Sequence, residues 1–413
     1  MDLISSRDIF YVICDILRKL DPKVMNHGLR TAYLLYKMMQ CKKKYEDFEM
    51  ADLCMIAVLH DIGTYKTDYL SDHLRYESRD SKAHSLYGYL FLLYLTPLKD
   101  MSKMILYHHA DFESFPEREY EYAEMTGWLN VAEKMDIYQN AMGSKFDYTM
   151  FQKQAGTKYS ADALEALYQA QKKFDVFGKI SSGEFKNELS ELFDNLIFTN
   201  EFKRDLLIST LYLLSFRSEA VMKDTIISIS LCISFAEKIY ISNEESENLY
   251  YAALLHDIGM CAVPAETIES GRKLSEEETA TLRSHVSVTE SILRGRIDQD
   301  CLDIILMHHE RCDGSGYPHR LRDYQMSKPA KMLQVADSIT ALINPKGTKE
   351  PKSKEAIIRI LEAEADAGKL NSEIVRTFVN FYDKMMENVD ADLRAFLADY
   401  NDLQNDYNVK ITQ

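Results

Sequence analysis

Apolar residues recur at every third or fourth position over much of the chain, which is the period of an amphipathic α-helix. This pattern predicts helices at residues 18–40, 46–59, 161–174, 245–255 and 355–365. The alternation of apolar and polar residues that is typical of strands is not evident, and only 8 prolines and 15 glycines interrupt the helical pattern. The sequence therefore predicts an all-α fold.

The same sequence landmarks occur twice, in the same order. Each half contains a His-Asp-Ile-Gly tetrapeptide, a His at the start of a helix, a His-His pair, and a Val-Ala pair followed by an acidic residue. In the first half these landmarks are His60-Asp61-Ile62-Gly63, His84, His108-His109 and Val131-Ala132-Glu133, and in the second half they are His256-Asp257-Ile258-Gly259, His285, His308-His309 and Val335-Ala336-Asp337. This repetition indicates an internal duplication. We predict two related helical-bundle domains, residues 1–175 and 218–413, joined by a helical connector at residues 176–217.

The composition is that of a soluble protein of two or three domains, with 413 residues, of which 46% are hydrophobic and 28% charged. No apolar run is long enough to cross a bilayer, and the first residues do not resemble a signal peptide. The seven cysteines form no CxxC pair, which favours reduced thiols and predicts a cytoplasmic location. A net charge of −16 argues against binding of duplex nucleic acid, but a pocket that holds metal ions can still bind a small anion.

Histidine is concentrated at the repeated landmarks. Of the eleven histidines, eight lie at the landmarks given above, and a ninth, His27, lies on the helix that Asp21 and Pro22 begin. Only His73 and His319 lie elsewhere. Imidazole and carboxylate groups together suit Fe, Mn, Zn or Ni. Five imidazoles around one Asp exceed what a single ion with open positions needs, so we expect two ions bridged by that Asp. Two such ions activate water and stabilise the attacking and leaving oxygens, which predicts metal-assisted phosphoester hydrolysis.

The second half adds a loop that the first half lacks. Its motifs are His256-Asp257-Ile258-Gly259, the segment 273–278 before His285, His308-His309-Glu310, Asp313-Gly314-Ser315-Gly316-Tyr317-Pro318 and Val335-Ala336-Asp337. These motifs resemble those of HD-superfamily phosphohydrolases, and over residues 220–390 they are similar to the HD-GYP subfamily. Residues 20–175 resemble the same superfamily without the Gly-Tyr-Pro loop. The resemblance implies helical bundles and, as is usual for this bacterial subfamily, hydrolysis of cyclic di-GMP at a two- or three-metal centre.

The resemblance also implies the site residues. The implied metal ligands are His27, His60, Asp61, His84, His108, His109 and Glu133 in the first half, and His256, Asp257, His285, His308, His309 and Asp337 in the second half. Asp61 and Asp257 are implied to be catalytic. Tyr317, Lys346 and Lys349 are implied to bind the substrate, although a solvated loop is the alternative for the two lysines. Asp136 is the alternative to Glu133 as the last carboxylate ligand.

Each half departs from the subfamily's pattern. In the second half Ser228 replaces a helical His, Leu231 replaces an Arg, and Met260 replaces a Lys that is expected to touch the scissile phosphate. Ser228 or water would then have to complete the ligands of one ion. In the first half Thr64 occupies that lysine's position, with Lys66 nearby, but every imidazole position is filled. The first half is therefore the preferred metal centre.

Three hypotheses follow for the function. The preferred one is a phosphodiesterase that hydrolyses cyclic di-GMP or a related cyclic dinucleotide with two divalent transition-metal ions per competent site, Fe or Mn before Ni or Zn. The second is a regulatory module in which the second half senses a cyclic dinucleotide or holds the first half in a homodimer. The third is an HD phosphohydrolase that acts on another nucleotide or phosphate ester.

Overall fold

The structure, a computed structural model, describes residues 4–67, 82–116, 120–143, 148–347 and 350–412. These residues form α-helices, short 3-10 turns and loops, and the only β-type pairings among them are isolated bridges. The predicted all-α class is confirmed. Among the described residues, no helix combines the length and the apolar composition that a membrane crossing requires.

Twenty α-helices follow one another along the described part of the chain. In order they are α1 (Ser6–Leu20), α2 (Pro22–Lys42), α3 (Asp47–Leu59), α4 (Lys82–Leu95), α5 (Ser102–Tyr107), α6 (Ala123–Met142), α7 (Thr149–Gln152), α8 (Ala161–Phe174), α9 (Val176–Ser182), α10 (Phe185–Phe193), α11 (Asn200–Leu214), α12 (Glu219–Lys238), α13 (Asn243–Leu255), α14 (Ala265–Ile268), α15 (Glu276–Arg283), α16 (His285–Leu293), α17 (Gln299–Leu306), α18 (Lys328–Ile343), α19 (Lys354–Asp366) and α20 (Ser372–Lys410). Two 3-10 turns matter for the site, at Ile62–Tyr65 and Ile258–Ala262.

The helices form two compact units. The N-terminal unit contains Ser6–Leu206 and the last residues from Asn401, and the C-terminal unit contains Leu207–Tyr400 with Ile4 and Ser5. Helices α9 and α10, in the predicted connector, contact α2, and α10 also contacts α3. The boundaries at residues 175 and 217 and the connector between them stay predictions.

Helix α2 lies at the centre of the N-terminal unit and contacts α1, α3, α6 and α8. Asp21 begins it, because its side chain accepts hydrogen bonds from the backbone N–H groups of Lys23 and Val24, and Pro22 fits the first helical turn. The helix then buries residues on several faces, including Leu29, Leu34, Leu35 and Met38. Because other helices surround α2, the imidazole of His27 is buried in the interior of the unit.

In the C-terminal unit α12 takes the position that α2 has in the N-terminal unit. Helix α12 contacts α13 and α18, and α13 contacts α17 and α18. The 3-10 turn at Ile258–Ala262 contacts α16, just as the turn at Ile62–Tyr65 contacts α4. The order α2, α3, α4, α5, α6 therefore corresponds to α12, α13, α16, α17, α18, as the internal duplication predicts.

Candidate metal centre

The predicted ligands of the N-terminal unit come from helix ends and inner helical turns that meet in its interior. His27 lies on α2, His60 and Asp61 follow α3, His84 lies on α4, His108 and His109 follow α5, and Glu133 lies on α6. All of them are buried except His109, whose side chain is 15% exposed. Helix α5 ends at Tyr107, and this helix end allows two adjacent histidines to face the same cluster.

Asp61 lies between two groups of imidazoles. Its Oδ2 is 3.4 Å from Nε2 of His60 and 3.8 Å from Nε2 of His27. Its Oδ1 is 3.4 Å from Nε2 of His84 and 3.8 Å from Nε2 of His108. One carboxylate oxygen thus faces each group, which is the geometry that a bridging ligand requires.

The ligand atoms on the two sides of Asp61 are close enough to share an ion. Donor atoms of His27, His60 and Glu133 all lie within 4.8 Å of one another. Donor atoms of His84, His108 and His109 meet the same limit, as do those of His60, Asp61 and His108. The cluster therefore offers three ligands on each side of Asp61. This number of ligands suits two neighbouring ions better than one.

Hydrogen bonds fix the orientation of the imidazoles. Nδ1 of His60 is 2.8 Å from the carbonyl oxygen of Ala57, and Nδ1 of His108 is 2.6 Å from that of Ile105. In each ring Nδ1–H donates to a carbonyl three residues earlier, which leaves the Nε2 lone pair for a metal. Both histidines directly follow the last residue of a helix, α3 for His60 and α5 for His108.

Asp136 orients His27. Its Oδ2 is 2.7 Å from Nδ1 of His27, and its two oxygens accept hydrogen bonds from Nε and Nη2 of Arg30 at 2.6 and 2.8 Å. Burial would raise the pKa of Asp136, but the hydrogen bonds from His27 and Arg30 outweigh it and lower that pKa. The structure thus places Asp136 behind His27, while Glu133 lies with the other predicted ligands.

Several candidate metal-binding atoms of this cluster have no hydrogen-bond partner within the described part of the chain. They are Nε2 of His27, His60 and His108 and Oε2 of Glu133, all buried. A buried polar atom without a partner lowers the stability of the folded state by about 1–3 kcal/mol, so folded proteins contain few such atoms. Lone pairs of imidazole nitrogen and carboxylate oxygen are what a divalent transition metal binds, and the residues therefore fit metal ions.

Charges within the cluster favour the metal-binding protonation states of Asp61 and His108. Burial would raise the pKa of Asp61, but the imidazoles of His60, His84, His27 and His108 outweigh it and lower that pKa. Burial lowers the pKa of His108 well below its usual 6.5, and the neighbouring imidazoles add to this effect. An ionised Asp61 and a neutral His108 are the forms that bind metal.

The C-terminal unit places its predicted ligands around Asp257. Oδ1 of Asp257 is 3.4 Å from Nε2 of His285 and 3.9 Å from Nε2 of His308, and its Oδ2 is 3.6 Å from Nε2 of His256. Donor atoms of His285, His308 and His309 lie within 4.8 Å of one another. These residues, with Asp257, correspond to one of the two groups in the N-terminal unit.

The other group of the C-terminal unit is reduced. Ser228 occupies the position of His27, and its Oγ is 3.3 Å from Oγ1 of Thr340. The last carboxylate, Asp337, lies 3.2 Å from Nδ1 of His309. His256 and Asp257 remain, but no imidazole replaces His27 at this position. The residues present therefore fit one ion and do not fit a second with comparable ligands.

A cavity of about 480 Å³ is lined in part by the predicted ligands of the C-terminal unit. Its walls include Asp257, His285, His309 and Asp337 together with Tyr317, Arg272, Lys273 and Lys346. Lys346 Nζ lies 3.2 Å from Oδ2 of Asp224. The Tyr317 ring lies 4.8 Å from the His309 ring, and the Arg283 guanidinium lies 4.8 Å from the Tyr317 ring centre. Lys349, the other predicted substrate ligand, lies outside the described residues.

Sequence reasoning did not single out two further groups at these sites. Lys134 Nζ is 2.7 Å from Nδ1 of His109 and 3.0 Å from Oε1 of Glu133, so it brings an ammonium to the first cluster. In the second unit Asp224 pairs with Lys346, and Asn344 Nδ2 donates a hydrogen bond to Asp224 at 2.7 Å. The adjacency of Lys134 to Glu133 was a signal for the first group. The sequence carried no signal for the second, since Asp224 lies far from Asn344 and Lys346 in the chain.

Comparison with known proteins extends these observations. Family models described as HD domain match residues 24–166 and residues 209–374. The chain is 22% identical over 399 residues to 3'3'-cGAMP-specific phosphodiesterase 1 of Vibrio cholerae serotype O1, and this match covers 91% of each protein. It is 34% identical over 148 residues to the cyclic di-GMP phosphodiesterase of Thermotoga maritima, over 35% of this chain and 40% of that protein.

The fold is similar to a solved structure as well. A crystal structure of a cyclic GMP-AMP-specific phosphodiesterase of Vibrio cholerae aligns with a TM-score of 0.57 and 13% identity, over 95% of this chain and 98% of that chain. At this identity the alignment supports the fold alone. The two HD-domain matches confirm the predicted family: the chain belongs to the HD superfamily and carries two HD domains in tandem.

Proposed function

We propose that this protein hydrolyses a cyclic dinucleotide at a two-metal centre in the N-terminal unit. The observation that carries the proposal is the position of Asp61, whose two oxygens each face a separate group of imidazoles. The similar proteins are named as phosphodiesterases of cyclic di-GMP and of 3'3'-cGAMP, and these names support a cyclic dinucleotide as the class of substrate. The two candidate substrates are cyclic di-GMP and 3'3'-cGAMP.

The residues of the N-terminal unit would have the following roles in the reaction. His27, His60 and Glu133 would hold one ion, His84, His108 and His109 the other, and Asp61 would bridge them. Bound ions of this kind supply an activated water and stabilise the attacking and leaving oxygens of a phosphodiester. Asp136 keeps Nε2 of His27 directed inward. Lys134 places an ammonium beside the cluster, where it can attract a phosphate oxygen.

The ligand set also restricts the choice of metal ion. Imidazole nitrogen with carboxylate oxygen suits Fe and Mn, with Ni and Zn as alternatives, and the absence of thiolate ligands from the set argues against the softer metals. We propose two Fe or Mn ions per N-terminal unit. The predicted cytoplasmic location, the absence of duplex nucleic-acid binding and a possible homodimer stay predictions.

A second function is favoured by one observation in the C-terminal unit. Its reduced ligand set lines a cavity of about 480 Å³ that also contains Lys346, Lys273 and Arg272. Cavities of this size suit small ligands, and cationic side chains among the lining residues suit an anionic one. We propose that this unit binds a cyclic dinucleotide as a sensor, or with slow hydrolysis, while the N-terminal unit catalyses turnover.

A comparison of two matched variants tests the main proposal. The Asp61→Ala and Asp257→Ala variants each remove the central carboxylate of one unit and leave the other unchanged. We expect Asp61→Ala to lower the turnover of cyclic di-GMP and 3'3'-cGAMP by at least about 1,000-fold, about 4 kcal/mol of transition-state stabilisation, since both ions lose a ligand. Asp257→Ala should retain more than half of the wild-type turnover.

Other outcomes lead to other functions. Loss of turnover in Asp257→Ala with retention in Asp61→Ala would move catalysis to the C-terminal unit. Tight binding of a cyclic dinucleotide without turnover by the Fe- or Mn-loaded wild type would favour the sensor. Hydrolysis of mononucleotides or of a generic phosphodiester alone would favour an HD phosphohydrolase with another substrate.

A further inference from the structure

A cavity of about 330 Å³ lies in the N-terminal unit, where the segment after α5 meets the starts of α6 and α8. Three aromatic residues, Phe112, Phe115 and Trp128, are among those that line it, and we call it the aromatic cavity. The backbone N–H of Phe112 donates to the carbonyl oxygen of Lys158 at 3.0 Å, so two of its walls are joined by a hydrogen bond. A cavity of this size can hold a small ligand, and aromatic rings in the lining favour a flat one.

The aromatic cavity adjoins the partly exposed side of the predicted metal cluster. Ala110 lines the cavity and directly follows His109, whose side chain is 15% exposed. Gly127, Asn130 and Lys134 lie on one face of α6, since they are three and four residues apart. The first two line the cavity, and Nζ of Lys134 is 2.7 Å from Nδ1 of His109. The helix rises about 6 Å from Asn130 to Lys134, so a molecule the size of a nucleotide can occupy the cavity and reach the cluster.

Two buried polar side chains in the lining have unused hydrogen-bonding atoms within the described part of the chain. Asn130 is 5% exposed, and its Nδ2 donates to the carbonyl oxygen of His108 at 2.6 Å, but its Oδ1 has no partner. Trp128 is 1% exposed, and its Nε1–H has no partner either. An unpaired buried group destabilises the protein, so a ligand that pairs with it gains affinity.

The corresponding amide of the C-terminal unit is bonded at both ends. Gln334 takes the position of Asn130, because each lies three residues before the last predicted carboxylate ligand of its unit. Nε2 of Gln334 donates to the carbonyl oxygen of Glu310, and its Oε1 accepts from the thiol of Cys312 at 3.8 Å. The unpaired acceptor of Asn130 is therefore not a consequence of the scaffold that the two units share.

The polar lining favours guanine among flat ligands. Glu124 and Asp162 line the aromatic cavity together with Asn130, so two carboxylates and an amide oxygen are available as acceptors. Guanine carries a ring N–H beside an amino group, and acceptors of this kind bind both donors. Adenine carries its amino group beside a ring nitrogen that is itself an acceptor, so it offers one donor fewer on that edge. Stacking on aromatic side chains suits either base.

We propose that the aromatic cavity binds one guanine base of the cyclic dinucleotide, while the adjoining phosphodiester lies at the N-terminal metal centre. The position of the phosphodiester rests on the proposed function, whereas the base site rests on the cavity and its unpaired atoms. Cyclic di-GMP and 3'3'-cGAMP each carry a guanine, and cyclic di-AMP carries none. The N-terminal unit is therefore selective for cyclic dinucleotides with at least one guanine.

Fluorescence of Trp128 tests the base site directly, because this residue lines the cavity and is the single tryptophan of the chain. In the chelator-treated full chain, guanosine 5'-monophosphate should change the fluorescence saturably. Adenosine 5'-monophosphate should bind at least about tenfold more weakly, or about 1.4 kcal/mol, and ribose 5-phosphate should have no effect. Absence of a response to guanosine 5'-monophosphate, or equal affinity for the two nucleotides, would overturn the proposal. Neither metal nor turnover enters this measurement.

Variants of the lining locate the response. Phe112→Ala removes a ring that is 38% exposed and should weaken binding of guanosine 5'-monophosphate about tenfold, or about 1.4 kcal/mol. Gly127→Leu should abolish binding, since a Cβ there would meet only Cβ of Ser160 at 3.7 Å and the rest of the side chain would fill the cavity. Phe48→Ala removes a ring that is 52% exposed and outside the lining, and it should change nothing. Unchanged affinity in folded Gly127→Leu and in Phe112→Ala would overturn the proposal.

Turnover tests the link between the base site and the metal centre. In the Asp257→Ala background, Phe112→Ala should raise KM for cyclic di-GMP about tenfold and leave kcat within about twofold. Cyclic di-AMP should have a kcat/KM at least about tenfold below that of cyclic di-GMP. An unchanged KM in Phe112→Ala, despite weaker binding of guanosine 5'-monophosphate, would overturn the link. A Trp128 response without turnover of any cyclic dinucleotide would support the base site and overturn the proposed function.

Discussion

At the residue scale, three imidazoles of the proposed N-terminal metal centre are each oriented by a group that lies behind the ring. Backbone carbonyls orient His60 and His108, whereas a charged side chain, Asp136, orients His27. Burial lowers the pKa of His27, but its hydrogen bond and charge interaction with Asp136 outweigh burial, and its pKa is raised above 6.5. His27 is therefore protonated in the metal-free protein at slightly acidic pH, unlike His108.

This contrast predicts the pH dependence of metal binding. The proton on Nε2 of His27 must leave before an ion binds there, so Mn²⁺ affinity should rise with pH through the raised pKa of His27. Asp136→Asn removes the negative charge, so the pKa of His27 falls and Mn²⁺ uptake should begin at a lower pH. Equilibrium dialysis against Mn²⁺ from pH 5.5 to 8.5 measures both curves.

A surface variant provides the control for this experiment. Asp162→Asn breaks the exposed ion pair with Lys42 in the same unit and should leave the uptake curve unchanged. An uptake curve for Asp136→Asn that is identical to the wild type would contradict the role given to Asp136.

The same pair also sets a pH window for the stability of the metal-free N-terminal unit. The contribution of His27 is fully present below its usual pKa of 6.5 and is lost as the pH rises through its raised pKa. The contribution of Asp136 is present above its usual pKa of 3.8 and is lost as the pH falls through its lowered pKa. The two contributions are therefore both present between about pH 3.8 and 6.5, and Asp136→Asn should cost the most stability there.

At the element scale, the His-Asp-Ile-Gly motif joins a helix end to the helix that carries the next histidine. A Cβ atom on Gly63 would lie 2.0 Å from the carbonyl oxygen of His84 and 2.6 Å from the backbone nitrogen of Gly88. Gly259 is in the same situation, 2.1 Å from the carbonyl oxygen of His285. Contact between the turn and the backbone of α4 or α16 therefore requires glycine. The glycine sets how close the His-Asp pair lies to the next ligand.

Gly63→Ala should accordingly damage both stability and metal binding. The backbone of α4 must move to admit the methyl group, and overpacking of this kind costs about 1–3 kcal/mol. We expect the urea midpoint of the N-terminal unit to fall and its Mn²⁺ content to drop below one ion. Trp128 is the single tryptophan of the chain and is buried in α6, so its fluorescence follows the unfolding of this unit.

Gly127→Ala on α6 is the matched control. Its nearest neighbour would be Cβ of Ser160 at 3.7 Å, an ordinary contact, and alanine favours the helix by about 0.5–1 kcal/mol. We expect this variant to keep its metal and to unfold at a slightly higher urea concentration. A Gly63→Ala protein with wild-type midpoint and metal content would show that the close packing is not required.

At the scale of the whole molecule, local patterns predicted more than distant contacts. Helices α8, α13 and α19 lie within two residues of their predicted bounds, because apolar periodicity and caps such as Ser160 are local signals. The repeat placed the His-Asp motifs in equivalent positions. The pairing of Asp136 with His27 and that of Asp224 with Lys346 join residues more than 100 positions apart, and no local pattern marks such a pair.

The tandem arrangement itself leads to a last prediction, since the two units should respond to metal independently. A ligand at 100 times its dissociation constant stabilises the folded state by about 2.7 kcal/mol, which for a unit of about 200 residues raises the melting temperature by roughly 5–10 °C. Thermal unfolding followed by Trp128 fluorescence reports only the N-terminal unit, which contains that residue. Mn²⁺ should therefore raise this melting temperature in the wild type and in Asp257→Ala, relative to chelator, but not in Asp61→Ala. A shift of the same size in Asp61→Ala would mean that the N-terminal cluster is not where the stabilising ions bind.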